Sequence, residues 1–284
     1  MNLHNIFDEI EKADPEFTER ISPRREAIRN MGGFGKKIAL SALPLALGGL
    51  FKKAYGQTPS DVLDVLNFAL TLEYLESEFY KHGVAMSGLI PAGTAAVAAL
   101  TRIRDDEAAH VAFLRAAIAS LSSGTQPAMK SFTNFDYTAK NTFPDVFTNY
   151  DTFLAVAQAF EDTGVRAYKG QSPRLMGTAN RGVLTAALQI HSVEARHASH
   201  LRQMRKARGG AAATLKPWIT GTMSGIGSAV NAIYTGEDNV MQGGVTITGI
   251  TADGVTISAN AATEAFDEFL TKDQVLAIVT PFLA

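Results

Sequence analysis

The sequence predicts an all-α chain built on a four-helix bundle with one long crossover, plus an N-terminal segment and an irregular C-terminal extension. Three observations point there. Four long stretches carry helical patterning bounded by start and stop signals, the outer two of the three links between them are short, and the middle link runs from Ser122 to Asn149. Short links make each successive pair antiparallel, whereas a link of that length can run along a bundle and join two parallel helices. The bundle is expected over residues 58–208, with the N-terminal segment over 1–57 and the extension over 209–284.

Each helix has its own signals. Thr58-Pro59-Ser60-Asp61 supplies a capping hydroxyl, a proline at the first helical position and an acid in the first turn. That helix is expected to run to about Lys81, where His82-Gly83 closes it. The second is expected from near Gly93 through Leu121, ending at Ser122-Ser123-Gly124. The third runs from about Tyr150 to Lys169, stopped by Gly170 and Pro173, and the fourth from roughly Thr178 to Ala207, ended by Gly209-Gly210. Beyond Gly210 the pattern loosens. One or two short helices are expected between Leu215 and Tyr234, a hairpin pairing 243–248 with 254–258, and a last helix over Lys272 to Val279.

Nearly half of the 284 residues are hydrophobic and the formal net charge is only −2, so no basic excess points to nucleic acid. The chain has no cysteine, which excludes disulfides, zinc–thiolate sites and iron–sulfur clusters. Any metal must be held by carboxylate, imidazole, carbonyl or water, and imidazole tilts the choice toward transition metals.

Ser22-Pro23-Arg24-Arg25 resembles a twin-arginine export motif, followed by an apolar run from Ile38 to Phe51 between Lys36-Lys37 and Lys52-Lys53. That run is shorter than the roughly 20 residues of a membrane span but suits the hydrophobic region of a signal peptide. Ala54-Tyr55-Gly56 offers small residues for cleavage. The motif departs from its usual form in having Ala27 where phenylalanine is common, and in the length preceding the arginines. Export by the twin-arginine route, with transient membrane contact through this segment, is the expectation. The alternative is an amphipathic helix docked on a cytoplasmic protein.

The chemistry lies in the bundle. The second helix contains Glu107-Ala108-Ala109-His110 and the fourth contains Glu194-Ala195-Arg196-His197. In each, carboxylate and imidazole share a face that is otherwise apolar. Charged groups in an apolar stripe cost several kcal/mol, on the order of the price of burying a bare charge, unless paired or bound to metal. The first and third helices carry Glu73 followed by Tyr80, and Glu161 followed by Tyr168, two turns apart on one face. Glu73 and Glu107 are 34 residues apart and Glu161 and Glu194 are 33 apart, with midpoints at the expected turns. Both hairpins therefore bring their carboxylates to one level, and the chain contains an internal two-fold repeat. Glu76 rivals Glu73 from one turn on, but its equivalent in the repeat is Gly164. Asp106 could accept a hydrogen bond from an imidazole across the bundle, although its equivalent is Val193. His191 and His200 have no counterparts in the second helix and read as core or surface residues.

These residues resemble the ferritin-like di-iron carboxylate superfamily, in which a glutamate from each of two helices joins a Glu-x-x-His pair from each of the others. The similarity covers about Thr58 to Ala207 and is nearest to the ferritin-like domain branch that includes desiccation-related proteins. The resemblance implies two iron ions, with Glu107 and Glu194 bridging, Glu73 and Glu161 terminal, and His110 and His197 each on one ion. Tyr80 and Tyr168 would stand just behind the ligands.

Such a site implies oxidation of ferrous iron or reduction of peroxide or dioxygen in stress protection, by a di-iron oxidoreductase of ferroxidase or peroxidase type. Two alternatives stand beside it: two manganese ions in a catalase-like enzyme, and a non-catalytic stress or scaffold protein on the same fold. Metal ions and dioxygen or peroxide are the expected partners, and a homo-oligomer is compatible with the fold.

Overall fold

A computed structural model describes residues 59–123, 127–177, 181–252 and 254–284. The twin-arginine-like motif and the apolar run after it lie outside the described residues. The bundle consists of α1 (Pro59–Ala85), α2 (Ala95–Leu121), α3 (Tyr150–Gln171) and α4 (Arg181–Arg208). The closest packing is α1 against α2 and α3 against α4, with α1 also meeting α3 and α2 meeting α4. The chain is thus all-α around two helical hairpins, and no described helix is long and apolar enough to cross a membrane.

α1 continues past the expected stop at His82-Gly83. The glycine is there for close approach, since a Cβ on it would run into the ring of Phe153 on α3. α3 begins with Asn149, whose side chain accepts from the amides of Asp151 (3.0 Å) and Thr152 (3.4 Å). Such a cap is worth about 1 kcal/mol. The crossover follows the bundle as turns and a 3-10 segment, Phe132–Asn134. Its Tyr137 donates to the carbonyl of Leu75 at 2.8 Å and packs with Phe79, Phe132 and Phe147, so the long link is fastened to α1 by aromatic contacts.

α3 is buried without a break from Phe153 to Tyr168. A helix in a bare four-helix bundle exposes one face. Here the C-terminal extension covers it. Helix α5 (Ala259–Glu264), helix α6 (Lys272–Val279) and a 3-10 segment, Ser228–Tyr234, follow α4, and Leu270, Val275, Val279 and Phe282 join the hydrophobic core of the bundle. Phe282 packs edge-on against Phe160 of α3, with centroids 4.9 Å apart.

The expected pairing of 243–248 with 254–258 is corrected by two separate small hairpins. β1 (Met241–Gln242) pairs with β2 (Val245–Thr246), and β3 (Thr251–Ala252) with β4 (Val255–Thr256). Gly243 and Gly244 both take positive φ, 57° and 82°, closing a two-residue turn that pairs each strand with its immediate neighbour. Between Leu215 and Tyr234 only the 3-10 segment is regular.

Candidate metal centre

Glu73 on α1, Glu107 and His110 on α2, Glu161 on α3, and Glu194 and His197 on α4 all point into the bundle. The four carboxylates are fully buried, and the imidazoles are 8% and 6% exposed. Two overlapping groups form. Glu73, Glu107, His110 and Glu194 each offer one ligand atom within 4.8 Å of the others, and so do Glu107, Glu161, Glu194 and His197. Glu107 and Glu194 belong to both groups, while each imidazole belongs to one. The imidazole centroids are 6.5 Å apart.

The polar atoms are crowded but poorly satisfied. Nδ1 of His110 lies 3.2 Å from Glu73 and from Glu107, and Nδ1 of His197 lies 3.2 Å from Glu161. Glu194 Oε1 is 3.1 Å from His110 and Glu107 Oε1 is 2.9 Å from His197, but neither contact has hydrogen-bond geometry. Glu107 Oε1 and both oxygens of Glu194 are buried without a hydrogen-bond partner. Buried acceptors are rarely left this way, because each forfeits its hydration, about 1–3 kcal/mol or more for a charged group. Three such atoms on the two shared carboxylates fit a cation between them.

Protons partly stand in for that cation. Burial, then the Glu194 carboxylate, pushes Glu107 up to about 8. Burial also raises Glu194 and Glu161, with the neighbouring carboxylates adding to it. Burial opposes the charged form of His197, yet Glu161 and Glu107 carry it up to about 11, and His110 is raised in the same way, chiefly by Glu73. Within the cluster Glu73 alone moves down: burial would raise it, but His110, with hydrogen bonds from Glu107 and Tyr168, more than offsets that.

The tyrosines sit behind the carboxylates, each serving the opposite hairpin. Tyr80 of α1 donates to Glu161 of α3 at 2.6 Å, and Tyr168 of α3 donates to Glu73 of α1. Burial first, then the facing carboxylate, holds both phenols well above their ordinary range, so both stay protonated. Tyr80 and Tyr168 are therefore hydrogen-bond donors to the site rather than side chains within it.

Glu76 belongs to neither group, yet it is buried at the edge of the cluster. Burial, then the Glu194 charge, keeps its carboxyl protonated far above the usual range. It occupies the space that Gly164 leaves free, since a Cβ at Gly164 would stand 3.3 Å from Glu76 Oε1 and 3.1 Å from Glu194 Oε2. The glycine that makes Glu76 look unmatched in the repeat is thus what admits it. Asp106 approaches Nε2 of His197 at 3.3 Å and is itself held by Arg102 at 2.8 Å. His191 instead meets the carbonyl of Val165, and His200 is exposed.

A family model described as a ferritin-like domain matches residues 61–207, just over half of the chain and all six converging side chains. No curated protein and no solved structure matches the chain.

Proposed function

This chain belongs to the ferritin-like domain family, and from that membership we propose that its bundle binds two transition-metal ions, iron by preference, and uses them to oxidise ferrous iron or to reduce peroxide or dioxygen. The observation that carries the reading is the set of unpartnered buried oxygens on Glu107 and Glu194, the two carboxylates common to both ligand groups. Glu73 and His110 would complete the shell of one ion, and Glu161 and His197 that of the other. Carboxylate-rich sets with one imidazole per ion suit iron and manganese, and no thiolate competes for softer ions.

Two ferrous ions held there would supply one electron each, enough to reduce hydrogen peroxide with two protons to two waters. The chain's own residues prepare that exchange. Tyr80 and Tyr168 hold the outer oxygens of Glu161 and Glu73, which fixes how those carboxylates face the centre. Asp106 holds the ring of His197 in one orientation. Complete burial of the four carboxylates keeps bulk water from the reacting atoms. Oxidative stress, which the sequence resemblance to desiccation-related proteins implies, is the physiological context proposed for this chemistry.

Metal-free protein titrated with ferrous salt under argon should bind two ions per chain and then consume peroxide at one molecule per ion pair. Loss of neither metal content nor melting temperature in the double variant Glu107→Ala/Glu194→Ala would remove the metal reading and leave a scaffold. Preferential retention of manganese with catalase activity would instead replace iron by the dimanganese alternative.

A further inference from the structure

The two-fold repeat makes the two imidazoles equivalent in sequence, but their surroundings are not equivalent. The offset that carries Glu107 onto Glu194 and His110 onto His197 also carries Arg102 onto Gln189 and Asp106 onto Val193. Around His197 the outer ring nitrogen meets Asp106 at 3.3 Å, and both oxygens of Asp106 are gripped by Arg102, at 2.8 and 2.9 Å. That imidazole is clasped. Around His110 the equivalent positions hold Val193 and Gln189, and among the described residues nothing bonds to its Nε2. In place of a clasp there is a surface cleft of about 230 Å³ between α2 and α4, with His110 in its wall and Ala109, Phe113, Ala186, Gln189 and Val193 around it.

Resting on the dinuclear reading above, we infer that His110 is the mobile ligand of the centre and that the cleft is the space into which its ring swings, so that the divalent cation on the His110 side exchanges while the one on the His197 side is retained. A ligand ring leaves its ion by rotating its nitrogen away, and that needs room behind the ring and no bond resisting the turn. His110 has both conditions. His197 lacks the second, because rotation there breaks the contact with Asp106. Imidazoles held from behind by a carboxylate keep their metal more firmly by about 10- to 100-fold. Asp106 is a positioning residue in this scheme, acting on the metal only through His197. The cleft also offers a way by which a centre of buried carboxylates could be filled after folding.

Full-length protein loaded with two cobalt(II) ions per chain, then mixed with excess chelator and followed by visible absorption, reads the two positions separately. Release is expected in two phases of equal amplitude, about 10-fold or more apart in rate. Filling the cleft with Ala186→Phe should slow the fast phase alone. Transplanting the clasp with Gln189→Arg/Val193→Asp should slow the same phase toward the other. Asp106→Val should accelerate only the slow phase. Melting curves of the metal-free variants identify any that fail to fold, and Ala186→Phe, which adds no buried charge, keeps the test open should the transplant misfold. Two bound cobalt ions released in a single phase, or two phases indifferent to all three changes, would overturn the mobile-ligand inference and leave the dinuclear reading standing. Fewer than two cobalt ions bound per chain would overturn both.

Discussion

Glu161 and Asp162 are neighbours on α3, both buried, yet they project about 100° apart around the helix and enter two different polar clusters. Glu161 joins the inner cluster, where five buried carboxylates, counting Glu76, face two imidazoles. Asp162 joins an outer cluster beneath the C-terminal extension. There Arg202 pairs with it, Tyr234 donates to it at 2.6 Å and Gln158 donates at 3.2 Å, while Arg205 bonds Gln158 and the carbonyl of Ser224. Arg166 beside it pairs with Glu237 at 2.9 Å. Unpaired atoms occur in both places, Arg202 Nη1 and Glu237 Oε2 in the outer cluster among them. The difference is in charge. Each outer carboxylate is paired with a guanidinium, and Arg205 is met by the carbonyls of Ser224 and Gly225, whereas the inner carboxylates outnumber their cations. A buried cluster in which every carboxylate has its cation is part of the fold, and one whose carboxylates exceed their cations is asking for a cation to bind.

The comparison breaks most sharply under substitution. Glu107→Gln with Glu194→Gln removes the shared acidic oxygens, and metal retained after gel filtration should fall from two ions per chain to almost none. Because burial already keeps Glu107 and Glu194 protonated in the metal-free protein, the amides replace neutral carboxyls and it should melt no lower than the parent. Asp162→Ala should do the opposite. It leaves Arg202 buried without its partner, which costs about 3–5 kcal/mol, read as a lowered urea midpoint. Its metal stoichiometry, measured where the variant is folded, should stay at two. Equal metal loss in both variants would mean that the two clusters are one.

pH sharpens the same contrast. Glu107 moves from 4.5 to about 8 on folding without metal, so the folded chain binds the extra proton. The stability this contributes is complete below 4.5 and is lost as pH rises through about 8. Glu76, Glu161, Glu194 and, through burial, Glu237 at about 7 shift in the same direction. Melting of the metal-free protein should therefore fall between pH 5 and pH 8.5 by more than about 4 °C. With metal bound the slope should reverse, because the ions compete with those protons and bind more tightly as pH rises. A metal-free protein that melts at one temperature across that range would mean the carboxylates are not holding protons.

The inner cluster was more legible in the sequence than the outer one, for physical reasons. Helical periodicity and equal distances from two turns put Glu73, Glu107, Glu161 and Glu194 at one height, which needs no knowledge of packing. Which helix each tyrosine faces does need it. Tyr80 shares a face with Glu73 but bonds Glu161, because the α1–α3 contact decides the partner. Glu76 was obscured by comparison with Gly164, where an empty position signalled room and not absence. The outer cluster joins Asp162 to Tyr234 and Arg166 to Glu237, pairs about seventy residues apart across irregular chain. No local period announces such contacts. For the same reason the extension could be read as packing surface without showing that it buries α3, and its two hairpins depended on a glycine turn that local alternation did not resolve.

The finest comparison uses one kind of bond in both clusters. Tyr80 donates to Glu161 and Tyr234 donates to Asp162, each buried and each at 2.6 Å. If geometry alone set the consequence, Tyr80→Phe and Tyr234→Phe would be interchangeable. Cluster chemistry says otherwise. Tyr234→Phe removes a bond to a carboxylate whose charge Arg202 requires, so it should lower stability by about 1.5–3 kcal/mol and leave metal affinity within about 2-fold. Tyr80→Phe removes a bond to a carboxylate that burial has already raised, so the metal-free protein should lose only about 1 kcal/mol. The larger effect of Tyr80→Phe should fall on metal affinity, weakened about 10-fold once Glu161 is free to turn. Calorimetric titration with manganese(II) and urea unfolding of the metal-free variants measure the two quantities independently. Parallel losses in the two variants would show that the inner tyrosine holds the bundle together and not the ligand.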